Sequence, residues 1–256
     1  MKITLAMLPL LVVPLYAYPF EDPIITDRPG FSTFTHTVKP GKINVELGYE
    51  YSSNNDRGID QVTQMYPQLE LRAGITANTE LSLYWTRWNI SVTNEQSSET
   101  SFADVSIGGK YRLHQSPEYN LTMFGWLSFP SGSSASTSDD IDPLLALLWD
   151  YYLSSNVFLF GEVQGISYEL ENDSQSERIY EAQLTIGSSF SHTDRLSSFI
   201  ELYGTLPSSD SVAENLVLDG AFLYLLSKDV QIDFDAGVGL NSASNDFVGI
   251  GFSVRY

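Results

Sequence analysis

From residue 42 to the carboxy-terminus the chain repeats one unit: about ten residues of alternating apolar and polar side chains, then a hydrophilic break. Period-two alternation marks a strand whose two faces meet different surroundings. Twelve such runs can be read, from "KINVELGYEY" to "FVGIGFSVRY". In the last, Val248, Ile250, Phe252, Val254 and Tyr256 alternate with Phe247, Gly249, Gly251, Ser253 and Arg255. One strand of this kind suits a soluble sandwich and a membrane barrel equally; twelve in series separate the two.

The connections separate them further. Every second one is a tight turn rich in Asn, Asp, Ser or Pro: "ITANT", "HQSPEY", "SSN", "HTD", "SKD". The others are longer and strongly hydrophilic, among them "SSNNDRGIDQVTQ", "VTNEQSSETS", "PSGSSASTSDDID" and "ELENDSQSE". Segregation of loop length by parity puts the short turns at one end of an up-and-down barrel and the long loops at the other. The expected fold is all-β, a transmembrane antiparallel up-and-down β-barrel of about 12 strands. Both termini would be periplasmic, in the outer membrane of a Gram-negative bacterium.

In such a barrel the apolar face meets lipid and the polar face a wet lumen. Projecting the alternation inward gives the lumen-lining candidates Glu46, Glu50, Glu70, Asp104, Asp150, Glu162, Glu181, Glu201, Asp219, Asp233 and Asp235. Against them stand Arg72, Lys110, Arg112 and Arg255. Either the surplus carboxylates line an aqueous path that favours cations, or acids and bases cross-pair and plug a narrow barrel. In one run Phe158 and Phe160 share a face with Glu162 and Gln164, so apolar side chains enter the lumen there or a bulge shifts the register. Trp85 and Trp149 project outward; Trp88 and Trp126 project inward.

The first residues, "MKITLAMLPLLVVPLYA", read as a secretory signal peptide over 1–17, with one Lys before an apolar stretch and a small residue at its end. Residues 18–41 form a mostly extended periplasmic or plug-like segment, and 42–256 the barrel. Pro29–Gly30 and Pro40–Gly41 suit the central positions of type II turns. Phe20, Ile24, Ile25, Phe31 and Phe34 make the segment more apolar than a free tail requires. It is expected to fold into the periplasmic mouth and gate the pore, with Asp27, Arg28 and Phe31 as gating candidates and Arg28 pairing with a lumen carboxylate.

Composition excludes much chemistry. The formal charge of −19 leaves no basic face for nucleic acid. Cysteine is absent, and His36, His114 and His192 are the three histidines. Two fall at short turns and one precedes the first strand, so no Ser–His or Asp–His pair assembles at the long-loop end. No enzyme, catalytic residue, cofactor or metal site is expected; Asp139, Asp140 and Asp142 read as a solvated acidic loop.

The stretches "IITDRPGFST", "VKPGKINVELGYEY", "DVSIGGKYRL", "LSFPSG" and "VGLNSASNDFVGIGFSVRY" resemble a family of outer-membrane transporters filed under the meta-pathway of phenol degradation. The resemblance covers nearly all of the chain after the signal. It implies a β-barrel and passage of small, hydrophobic or aromatic compounds, and transfers no site residues. The terminal Phe252, Val254 and Tyr256 resemble the carboxy-terminal signature of outer-membrane barrels, which implies handling by the barrel assembly machinery. The functional expectation is a monomeric channel passing small solutes through an acid-lined lumen, in contact with outer-membrane lipid and lipopolysaccharide. The alternative is a plugged structural or surface-binding barrel acting through its acidic extracellular loops.

Overall fold

A computed structural model describes residues 20–56, 59–92, 97–134, 136–172 and 175–256. The signal-peptide region lies outside them, as does the side chain of Trp88. The strands are β1 (Ile43–Asp56), β2 (Ile59–Thr76), β3 (Thr79–Val92), β4 (Ser97–Phe102), β5 (Val105–Gln115), β6 (Tyr119–Phe129) and β7 (Asp142–Tyr152). They continue as β8 (Val157–Asn172), β9 (Gln175–Ser191), β10 (Leu196–Pro207), β11 (Leu216–Ser227), β12 (Val230–Gly239) and β13 (Asp246–Arg255). Each pairs antiparallel with its neighbours, and β1 closes on β13 from Asn44↔Arg255 to Ser53↔Asp246. β4 and β5 pair with successive parts of β3, so together they make one stave and the barrel has twelve.

The outer face is apolar. On β13, Val248, Ile250 and Phe252 are exposed while Gly249, Gly251 and Ser253 are buried, and β12 repeats the pattern with Ile232, Phe234 and Val238 outside. Pairing of β1 with β13 closes the sheet, and an apolar belt on a closed barrel is the β solution to spanning a bilayer. The five short connections, at 77–78, 116–118, 153–156, 192–195 and 228–229, lie at one end. The carboxy-terminus shares that end: Ile43 N–H donates to the Tyr256 carbonyl at 3.2 Å.

Three connections that read as loops are strand. Asp56 pairs with Ile59, Val92 with Ser97, and Asn172 with Gln175, so these hairpins rise well past the belt. Alternation is lost there, and a polar strand looks like a loop. The described residues 130–134, 136–141 and 208–215 are outside strands.

The interior is not uniformly polar. On β7, Leu144, Ala146 and Leu148 face inward between Asp142 and Asp150, and pack with Phe124, Trp126 and Ile166. Phe158 and Phe160 also face inward, in unbroken register. Over β7 and β8 the inward Asp142, Asp150 and Glu162 thus stand beside an apolar patch, and of the two readings of Phe158 and Phe160 it is apolar entry into the lumen, without a bulge, that holds. Trp149 faces out; Trp126 faces in and stacks on Tyr84 at 5.7 Å. Ile250→Arg, on the outer face in mid-strand, should cost roughly 2–4 kcal/mol, measured by denaturant titration in lipid vesicles; a cost near zero would place that face away from lipid.

Candidate functional site

A barrel wall spends its backbone N–H and C=O groups on its own ladder. A peptide lying between the two mouths must therefore bond to side chains, and Asp27, Arg28, Phe31, Ser32, Thr33 and Val38 donate their N–H groups in this way. Ile24 N–H donates to the Lys228 carbonyl at the short-turn mouth. Deeper in, Asp27 and Arg28 N–H both donate to Glu46, at 2.9 and 3.0 Å. Phe31 N–H, Ser32 N–H and the Ser32 hydroxyl all donate to Glu201. Thr33 N–H donates to Glu162 at 2.9 Å. The Thr35 hydroxyl donates to Asp150. On the way out Val38 N–H donates to Glu80 at 2.6 Å, and Pro40 bridges to Gly74. Hydrogen bonds to an ionised acceptor are worth roughly 1.5–3 kcal/mol each.

The cations take the carbonyls. Arg72 donates to the carbonyls of Ile25 and His36 and Lys110 to those of Phe34 and His36, while Asn44 and Thr122 hold the carbonyls of Ile25 and Thr35. These bases also join a buried charge cluster. Arg72 grips Glu80 with two nitrogens at 2.9 and 3.0 Å, and reaches Glu46 at 3.0 Å and Asp27 at 3.1 Å. Lys110 meets Asp27 at 2.6 Å. Five charges are thus interlocked, with Asp27 supplied by the segment itself.

Pro29–Gly30 makes the innermost bend. Gly30 has φ +110, and a Cβ there would collide with Glu201 and Phe199. Gly41, at φ +75, makes the bend on the way out. Beside the inner bend the Phe31 ring stacks on Tyr203 at 4.1 Å and meets Phe247 edge-on. Arg28 lies flat against the wall where Gly48 and Gly251 leave no side chain, and any Cβ on either would strike it. From that slot it reaches Gln68 at 2.6 Å and Asp233 at 3.5 Å. Phe34 packs among Phe158, Phe160 and Phe199.

The remaining candidates do other things. Asp104 caps the long β6–β7 connection, accepting from the N–H groups of Ser131 and Gly132. Glu181 accepts from Gln183, and Glu50 from Gln68. Glu70 is half-buried opposite Tyr84. Asp219 and Asp235 face inward, and among the described residues neither is hydrogen-bonded or ion-paired to the segment. Arg112 donates to Thr37 near the mouth, and Arg255 ties Asp229 and the Asp22 carbonyl outside it. Asp140 in the β6–β7 loop and Asp142 at the start of β7 pair with Arg178 at 3.1 and 3.3 Å. Glu80 was not among the sequence candidates, since it stands one residue past a turn, yet its alternation with Ser82 and Tyr84 puts it on the inner face.

His36 lies 3.9 Å from Asp150. Burial, then the nearby Arg112, Lys110 and Arg72, push its pKa down from 6.5 to about 4. Its ring is therefore neutral while the segment is docked.

A closed barrel with an apolar belt and a polar interior is a membrane-spanning barrel of the outer-membrane class. The chain belongs to the family described as "Putative MetA-pathway of phenol degradation", which it matches over residues 26–256. No curated protein matches it by sequence. Among solved structures it is similar to the COG4313 outer membrane channel from Pseudomonas putida F1, at 12% identity and TM-score 0.70, covering 87% of this chain and 98% of that one. It is also similar to the KdgM porin (10%, TM-score 0.53, 82% and 98% covered). A third is the translocator domain of the autotransporter NalP from Neisseria meningitidis (10%, TM-score 0.57, 86% and 89% covered). At these identities the likeness is one of fold.

Arg72→Met would strand Glu46 and Glu80 as buried charges without their partner. It should cost about 3–5 kcal/mol of stability in urea titrations, and a loss below about 1 kcal/mol would mean that the cluster is not buried. In an NMR titration of the folded barrel, the His36 ring should change protonation near pH 4. A midpoint at the ordinary 6.5 would mean an undocked segment.

Proposed function

We propose that the protein is an outer-membrane channel for small solutes, and that residues 20–40 are its plug. The observation that carries this is the match between segment and wall: five lumen carboxylates, Glu46, Glu80, Asp150, Glu162 and Glu201, each accept a hydrogen bond from the segment. A passive tether would not need a matched acceptor at so many levels. The contacts of Asp27, Arg28 and Phe31 with Lys110, Asp233 and Tyr203 support their role as gating residues.

The solute class follows from the two-sided interior. One wall carries Asp219, Asp233 and Asp235; the opposite one carries Phe124, Leu144, Ala146 and Leu148. Such a lumen accommodates molecules with an apolar body and a neutral or cationic polar group better than free anions. The outer belt would contact lipid, with the short turns and both ends of the chain on the periplasmic side.

Deleting residues 20–38 should raise single-channel conductance in a planar bilayer several-fold while the barrel still folds, and cations should be favoured in a salt gradient. Unchanged conductance from a folded deletion variant would leave a structural or surface-binding barrel, acting through its loops, as the better account.

A further inference from the structure

At the short-turn mouth the segment and the wall line a half-open cavity of about 610 Å³. That is the size of a small-molecule site. Its floor is apolar, formed by Phe34, Phe158, Phe199 and Leu223. Its polar side holds Arg195 and His36.

Arg112 near the mouth is taken up by Thr37 and Gln115, and Arg195 differs from the remaining cations around the segment. Arg28, Lys39, Arg72, Lys110 and Arg255 each meet a carboxylate. Arg195 meets none among the described residues, although Asp194 beside it also lines the cavity. Its guanidinium stacks over the Phe20 ring at 4.5 Å, which fixes the plane of the donor fork. Its Nε is out of contact with solvent and has no hydrogen-bond partner, and neither does Nδ1 of His36. In a chain with 32 acidic side chains, a held arginine with an idle buried donor beside an apolar floor is an anion site waiting for an anion from outside.

We propose that this cavity binds a small amphiphilic carboxylate, its head on Arg195 and its apolar or aromatic body on the Phe34–Phe158–Phe199–Leu223 floor. Binding at the mouth does not depend on solute crossing the lumen. The site is distinct from the acid wall deeper in, which repels anions. It would hold an anionic ligand at the end of the barrel where the segment leaves it.

The probe is 2-naphthoate, titrated by calorimetry into the full chain in phosphatidylcholine nanodiscs, with 2-naphthylmethanol as its neutral counterpart. Saturable one-site binding of the carboxylate is expected. Arg195→Gln should weaken it by about ten- to a hundredfold, the worth of one charged hydrogen bond, and Arg195→Lys should restore part of the loss. Leu223→Gln should weaken both probes alike. Heat-modifiable mobility on gels checks that each variant is folded. Absence of saturable binding, an alcohol that binds as tightly as the carboxylate, or equal affinity in Arg195→Gln would each overturn the proposal. A wild-type conductance in Arg195→Gln would keep such a failure separate from any failure of the channel proposal.

Discussion

Everything inside this barrel depends on one shortage. The wall has no free backbone groups to offer, so a peptide in the lumen must bond to side chains or leave its amides unpaired at a cost of 1–3 kcal/mol or so apiece. Carboxylates are the strongest acceptors a wall can present, and arginine and lysine the strongest donors. The inward face supplies both in the places the segment needs them. Glu46 takes two successive amides, and Arg72 and Lys110 take carbonyls on either side of the bend. Glycine does the complementary work: Gly48 and Gly251 open the slot for Arg28, and Gly30 lets the bend approach Glu201.

This changes the meaning of the acidic excess. Five of the inward carboxylates, Glu46, Glu80, Asp150, Glu162 and Glu201, are acceptors for a peptide, and Asp233 pairs with its Arg28. The interior combines a charged wall, an apolar wall and a strand of chain between them.

Much of the barrel was legible because lipid is an unforgiving solvent. Twelve stretches must alternate to cross it, and loop parity gives the topology. Legibility failed where the solvent contrast vanished. Asp56, Ser97 and Asn172 belong to strand ends whose polar sequence carries no apolar–polar alternation, so they look like loops. On β7 both faces are apolar, and alternation carries no signal at Leu144–Leu148. The inward charges could be placed from parity alone, but their partners could not. Nothing in the spacing of Glu46, Glu162 and Glu201 announces that residues 27–33 will run past all three. Glu80 was missed because strand ends are blurred next to tight turns, and Arg195 because a turn residue has no face to read.

The central claim is that wall carboxylates hold the backbone of the segment. Amide hydrogen exchange on the folded barrel tests it residue by residue. Asp27, Arg28, Phe31, Thr33 and Val38 should exchange slowly, approaching the protection of strand amides such as those of β13, because each N–H is donated to a buried carboxylate. Exchange of these five amides at the rate of a free peptide, beside protected strands, would contradict it.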